Sequence, residues 1–524
     1  MISRRTFLET SAAAAALAAE LFATPEDSSK PSPALEKLAD VALREAKKLG
    51  ATYCDIRINR YRDQNLSIRL NPERGTGKTL EAPTISDDGS FGFGVRVIAD
   101  GAWGFAASPD VTPEEIARAT RDAVAIARAN AALKSAPLQL APVKAYRDRW
   151  SAPFEKDPFT VPLAEKLEML RAVAREIKGG KGIFSSSATL DFHSEDKYFA
   201  SSEGSSIQQL IIQTVPNIRA IAVDTNAGLS KTRNWSPAPL AIGYEYMQQL
   251  DFMENGRRIR EEVMEHLAAP AVKPGRKDLL LLPSHLWLTI HESLGHSTEL
   301  DRALGYEANF AGTSFLTPDK LHKQRVGSEI VNVYGDRTTP RALSTVAYDD
   351  DGVKTMKFPI LDRGIFVGYQ TIRDQAHLIG ETESKGCCYA QSWADVPFQR
   401  MPNVSLAPGD PGTSLEDLIS GIDDGLLIEG NGSFSIDQQR YNFQFGGDAF
   451  WEIKGGKKRS MLSRVAYQSK TADFWTACDG IAGPAYFQMY GVTNDGKGEP
   501  IQVNAATHAC APARFRNVNV LMTD

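Results

Sequence analysis

Histidine is scarce in this sequence, with eight in 524 residues, so any place where two fall close together is a chemical signal. Positive charge is not in excess either. Lys and Arg total 59 against 65 Asp and Glu, a net charge of -6. That balance lacks the concentrated basic footprint a nucleic-acid partner requires. Cysteines number only five, which excludes a disulfide-dense scaffold and leaves at least one thiol unpaired within the chain. No apolar run reaches the length of about 18 residues that a transmembrane helix needs. There is no solenoid repeat. A Gly-x-Ser-x-Gly elbow is missing as well, which ranks Ser-His-Asp catalysis low.

What is there describes a globular protein: 42% hydrophobic and 24% charged residues, in a chain long enough to expect two or more domains. At the N-terminus, Arg4 and Arg5 precede a weakly apolar, alanine-rich run. The pattern resembles a twin-arginine export signal over residues 1–23, with cleavage expected near 16–23 and a soluble protein in the periplasm or cell envelope. Helical spacing of Leu35, Leu38, Ala39, Ala42, Ala46 and Leu49 predicts a helix, which Gly50 stops. Strand-like runs follow at 53–58, 65–70 and 90–98, then a turn at Ala99-Asp100-Gly101 into a hairpin over 102–106. Thr112 and Glu115 form a capping box, with Pro113 at the first helical position, for a helix to Ala131.

Residues 163–178 and 244–267 read as further helices, separated by strands at 183–192, 197–202 and 206–223. Helices alternating with groups of strands predict an α+β fold with antiparallel sheets. The expected division is an N-terminal α+β domain at 34–269 and a β-rich C-terminal domain at 277–524. The second opens on a strand at 278–282 and includes strands at 328–334, 342–349, 356–361 and 365–370.

The chemistry concentrates in His291-Glu292-Ser293-Leu294-Gly295-His296. Two imidazoles suit zinc, which takes nitrogen ligands and leaves a position for water. A neighbouring carboxylate can accept that water's proton, and Glu292 is placed for the task. Zinc helices usually space their histidines by four. Five positions at about 100° each leave His291 and His296 some 140° apart on an ideal helix. The pair can meet only if the helix ends or widens at Gly295.

The wider segment HESLGHSTELD, followed by Gly312-Thr313-Ser314, resembles the TldD/PmbA family, also called modulator of DNA gyrase. So do Leu49-Gly50-Ala51 through Arg57, the run 92–97 with Gly101 and Gly104, the run 349–352 with Gly364 and Gly368, and the run 496–500. The resemblance covers nearly the whole chain after the signal. It implies a two-domain architecture, antiparallel sheets flanked by helices and a β-rich C-terminal metal-binding domain. It also implies a zinc-dependent peptidase acting on peptides or unstructured protein segments. A homodimer, or a heterodimer with a related TldE-like subunit lacking the motif, goes with it. His291, Glu292 and His296 make the chain similar to the active subunit; the rival reading is a non-catalytic TldE-like binding subunit. The family's third ligand is a cysteine before a Gly-Lys pair, where this sequence has Asp495. Asp495 is favoured as the third ligand, with Cys478 and then Cys510 as competitors. An oxygen ligand also admits Mn2+ or Fe2+ as lesser alternatives to Zn2+.

Three other features read as structural. Gly89, Gly92 and Gly94 suggest a close-packed strand pair. Asp349-Asp350-Asp351-Gly352 suggests a hairpin turn, and Arg514-Phe515-Arg516 a charged strand edge.

Overall fold

Strand β1 (Tyr53–Pro72) is where the N-terminal half is organised, because its two faces differ in chemistry. At even positions Cys54, Ile56, Ile58, Leu66, Ile68 and Leu70 are buried under helices. At odd positions Asp55, Arg57, Asn59, Tyr61 and Asp63 turn toward the C-terminal half. The computed structural model describes residues 16–18, 21–22, 29–73, 76, 78–133 and 136–523. The polar stretch at 59–65 does not divide the strand as the sequence suggests. Arg62 lies over the Phe159 ring at 4.6 Å, and Gln64 accepts from Lys166.

β1 pairs with β2 (Thr79–Ala99) and β5 (Ile183–Ser201) in a seven-stranded sheet. β3 (Ala102–Ser108), β4 (Arg147–Ser151), β6 (Ser206–Asp224) and β7 (Leu229–Trp235) complete it. All pairs are antiparallel except β4 with β6. Helices α1 (Pro33–Lys48) and α2 (Pro113–Ala131) cover one end of the sheet. Thr112 Oγ1 accepts from the Glu115 amide at 3.4 Å, but the expected capping box is only half formed, because the Glu115 carboxylate pairs with Arg118 instead of the Thr112 amide. Helices α3 (Leu163–Lys178) and α4 (Phe252–Ala268) cover the other end. The expected helix at 244–267 is split: Tyr244–Gln248 is a 3₁₀ turn, and Asp251 caps a new start by accepting from the Glu254 amide at 2.8 Å.

Within residues 1–23, Arg4 and Arg5 lie outside the described residues. Leu21 and Phe22 are packed in the N-terminal core. The Phe22 ring meets Phe91 edge-on at 6.3 Å and lies under the Arg60 guanidinium at 5.4 Å. Two residues of the segment expected to be removed are thus packed in the hydrophobic core.

The C-terminal half centres on a nine-stranded sheet. β8 (Gly275–Leu281) runs inside it, parallel to Asp424–Glu429 and antiparallel to Ala513–Met522. The strand holding Arg514 and Arg516 is therefore interior, correcting the expected edge. Those arginines pair with Asp479 and Asp278, and Phe515 stacks on Phe474 at 4.0 Å. A four-stranded sheet carries Val333–Asp336, Lys357–Asp362, Ile365–Phe366 and Asn403–Leu406. The run 342–349 is not a strand, because side chains satisfy its amides. Gln209 Oε1 accepts from Ala347 and Tyr348, Asn403 Oδ1 from Ser344, and Thr507 Oγ1 from Leu343.

The two halves are clamped together by buried ions. Arg96 of β2 reaches Asp55 at 2.8 Å and Asp351 at 2.6 Å, while Lys197 of β5 reaches Asp350 at 2.8 Å. The Asp349–Gly352 turn exists: Asp349 accepts from the Asp351, Val353 and Cys388 amides, while the carboxylates of Asp350 and Asp351 face the other sheet rather than solvent. Gly92 and Gly94 are close-packed strand positions: a Cβ on either would meet Trp393 within 2.3–2.4 Å.

Candidate metal centre

Helix α5 (Pro283–Ile290) leads straight into the His291 motif. The helix widens there. Residues His291–Gly295 form a single π turn, closed by the His296 amide donating to the His291 carbonyl. An i→i+5 hydrogen bond places position i+5 near position i, so the twist that separates these histidines on an α-helix is absorbed. The rings lie 4.5 Å apart between centroids. Gly295 serves through close packing rather than through a left-handed backbone: a Cβ would sit 2.6 Å from Met401 Sδ.

Asp495 arrives from the hairpin Gly491–Lys497 and Gln502–Thr507. Its Oδ1 lies 3.5 Å from His291 Nε2 and 3.4 Å from His296 Nε2. Both separations exceed an N–H···O hydrogen bond of about 2.7–3.2 Å. Two ligands at about 2.0–2.2 Å from a tetrahedral zinc stand about 3.4 Å apart. Among the described residues, His291, His296 and Asp495 form the one group of three or more His, Cys, Asp or Glu whose donor atoms lie within 4.8 Å of one another. The donor set and its spacing therefore fit zinc.

Each of these side chains has a dedicated support. His296 Nδ1 is 3.0 Å from Glu299 Oε2, which also accepts from Arg302 Nε at 3.0 Å, and Lys497 lies 3.3 Å from Glu299 Oε1. Burial alone would raise Glu299, but Lys497, His296 and Arg302 outweigh it and hold the carboxyl well below its usual range. Asp495 Oδ2 accepts from Arg400 Nη2 at 3.2 Å, leaving Oδ1 toward the histidines. Burial opposes its charge as well; His296 and His291 outweigh that and keep Asp495 ionised. His291 Nδ1 is 2.8 Å from His508 Nε2. Glu292 Oε2 pairs with Arg440. The four motif and ligand side chains are 4–6% exposed, so the cluster is nearly closed to bulk water.

The structure thus brings together His291, Glu292, His296 and Asp495. It does not bring in Cys478 or Cys510. Both are buried in the C-terminal core, where burial pushes the Cys478 thiol up to about 12 and raises Cys510 too. Sequence reading missed Glu299, Arg302, Arg400, Arg440, Lys497 and His508. Glu299, three residues after His296, and Lys497, in the Gly-Lys pair beside Asp495, had local signals.

Comparisons with known proteins show what the chain as a whole is similar to. Residues 274–520 match the model of the PmbA/TldA metallopeptidase C-terminal domain, and residues 82–127 match PmbA/TldA metallopeptidase domain 1. A metalloprotease of Methanocaldococcus jannaschii is 25% identical over 457 residues, covering 86% of this chain and 94% of its own. A zinc metalloprotease TldD homolog of Saccharolobus solfataricus is 24% identical over 466 residues, 88% of this chain and 95% of its own. In structure, the chain is similar to a Thermotoga maritima protein described as a modulator of DNA gyrase: TM-score 0.71, 17% identity, 93% of this chain and 100% of that one. TldE from Thermococcus kodakarensis gives a TM-score of 0.67 at 17% identity, with 93% and 99% covered. These likenesses establish the fold. They also correct the expected twin-arginine signal and periplasmic location. The relatives that align over most of their length are largely archaeal, and none lends support to export.

Proposed function

The chain belongs to the PmbA/TldD metallopeptidase family, and from that premise we propose that it is an active zinc peptidase with Glu292 as general base. His291, His296 and Asp495 would hold the ion. The observation that carries the reading is the pair of Nε2 atoms at 3.5 and 3.4 Å from one Asp495 oxygen, the spacing of adjacent zinc ligands.

When bound, zinc supplies Lewis acidity and makes a coordinated water more acidic. The protein does the rest. Arg440 fixes Oε2 of Glu292, which leaves Oε1 to take the proton of the attacking water and pass it to the leaving amine. Burial of the cluster excludes bulk water, which strengthens each of these charge interactions. A peptide or unstructured protein segment is the proposed substrate. It would lie extended between the two halves and add a strand to a sheet edge. A homodimer or a pairing with a related TldE-like subunit is the proposed assembly.

The test is metal analysis and peptide cleavage on the purified full-length chain. About one zinc per chain is expected, and Glu292→Gln should abolish cleavage while retaining the metal. Cleavage that survives Glu292→Gln would remove the assigned base. A protein that takes up no zinc would instead favour the non-catalytic subunit.

A further inference from the structure

His508 lies at the end of the same hairpin that delivers Asp495, with its ring entirely buried. Its Nδ1 is 2.8 Å from the Val404 carbonyl, and its Nε2 is 2.8 Å from His291 Nδ1. A carbonyl oxygen can only accept, so the His508 proton sits on Nδ1. His508 Nε2 then presents a lone pair. The facing nitrogen, His291 Nδ1, must carry the proton that fills this contact. In the neutral ring that a metal ligand must be, His291 Nε2 is left with a lone pair, and it is this atom that faces Asp495 Oδ1. The chain of bonds from Val404 through His508 thus decides which nitrogen of His291 is free to bind.

We propose that His508 is a positioning residue for the metal centre: by accepting the His291 Nδ1 proton, it fixes the tautomer and ring plane in which His291 can act as a ligand. The inference rests on the zinc reading above. Trp287 backs it geometrically, lying nearly parallel to His508 (6° between planes, centroids 6.1 Å apart) and meeting His291 at 67°. His508 is therefore held by a contact at each ring nitrogen and a parallel ring, with little freedom to rotate away. A carboxylate behind His296 and an imidazole behind His291 also make the two ligands unequal. Glu299 is anionic, whereas His508 is a neutral acceptor and adds no charge to the site.

Two variants separate the two bonds of His508. His508→Asn places an amide near the former Nδ1 and can still donate to Val404, but gives His291 no acceptor. His508→Gln extends its amide oxygen toward the former Nε2 position and can accept from His291. The measurement is competition for zinc between the full-length protein and a chromophoric chelator, with the visible absorption of the Co2+-substituted protein as second readout. His508→Asn is expected to weaken zinc binding by about 10–100-fold and alter the Co2+ spectrum. His508→Gln should stay within a few-fold of wild type. Equal zinc affinity in wild type and His508→Asn overturns the proposal, as does equal loss in both variants, which would mark a purely structural role. If His508→Asn fails to fold, His508→Gln decides alone: retained affinity supports the proposal and lost affinity overturns it. Wild-type protein that binds no zinc would bring down the metal reading itself, an outcome distinct from any difference between variants.

Discussion

Arg440 places its guanidinium on Glu292 Oε2 from a left-handed backbone, with φ at 62°. That conformation is costly for any residue with a Cβ. An arginine there trades backbone strain for a contact with the motif glutamate. Arg440→Gly relieves that strain but leaves the buried Glu292 carboxylate without its cation, so thermal stability should fall modestly rather than collapse. Cleavage should nevertheless fall by an order of magnitude or more as Glu292 loses its orientation, with zinc content unchanged. Steady-state kinetics beside calorimetry checks both halves; full activity in the glycine variant would show that the contact does not serve catalysis.

Asp495, the proposed third ligand, stands where the family resemblance implies a cysteine. Asp495→Ala should lower zinc affinity by more than about 100-fold. Asp495→Cys should restore zinc binding and discriminate more strongly against Mn2+, because a thiolate is the softer ligand. Metal competition monitored by elemental analysis tests this. The prediction fails if Asp495→Ala keeps its zinc.

Gly295 touches Met401, and a methyl group there would sit 2.6 Å from Sδ and 2.9 Å from Cε. Gly295→Ala should destabilise the protein by about 1–3 kcal/mol through overpacking. In a Met401→Ala background, itself destabilised by the cavity it leaves, the same glycine change should cost much less, because the clash is with the far end of a flexible side chain. Urea unfolding of the single and double variants measures the coupling; additive effects would contradict the packing account.

Asp351 joins Arg96 across the two halves with both side chains about 5% exposed. Asp351→Ala removes one of two carboxylates from a buried guanidinium, at a cost of about 3 kcal/mol. The urea midpoint should fall accordingly. A change near zero would mean that Asp55 alone satisfies Arg96.

His193 lies between Asp63 at 2.6 Å and Glu195 at 3.1 Å, and Glu195 in turn accepts from Tyr389 of the C-terminal half at 2.7 Å. Burial disfavours the charged ring, but Asp63 and Glu195 outweigh it and push His193 up from 6.5 to about 10. A raised histidine stabilises the fold fully below 6.5, and the contribution is lost as pH climbs through about 10. Glu195 has the opposite sense. Burial raises it, yet Lys197 and His193 bring it down to about 2 from 4.5, so its contribution is present above 4.5 and lost as pH falls through 2. Thermal stability should therefore decline from pH 6.5 to 10, and His193→Gln should flatten that slope. An unchanged slope in the variant would assign the decline to other groups.

The histidine motif, the Asp495 alternative, three of the four long helices and the hairpin at Asp100-Gly101 were legible because their signals are local. A capping box or an apolar period needs only a dozen neighbouring residues. The supports of the site were not. Arg440 and His508 meet the motif from 148 and 217 positions away, Arg400 meets Asp495 from 95, and nothing in their own neighbourhoods marks them. β1 was read as two strands because its middle, residues 59–65, is polar on both faces. One face meets the other half of the molecule there, and the opposite face fills the gap between two helix pairs. At 342–349 the apolar alternation was real, but the amides found side-chain acceptors before they found a ladder.

The π turn at 291–295 contains one residue more than an α turn would need. Deleting a residue such as Leu294 would let the helix continue regularly, with its histidines four apart on one face. Two signatures that differ in their spacing thus stand a single residue apart, and the π turn is what lets the longer one present its histidines as the shorter one would.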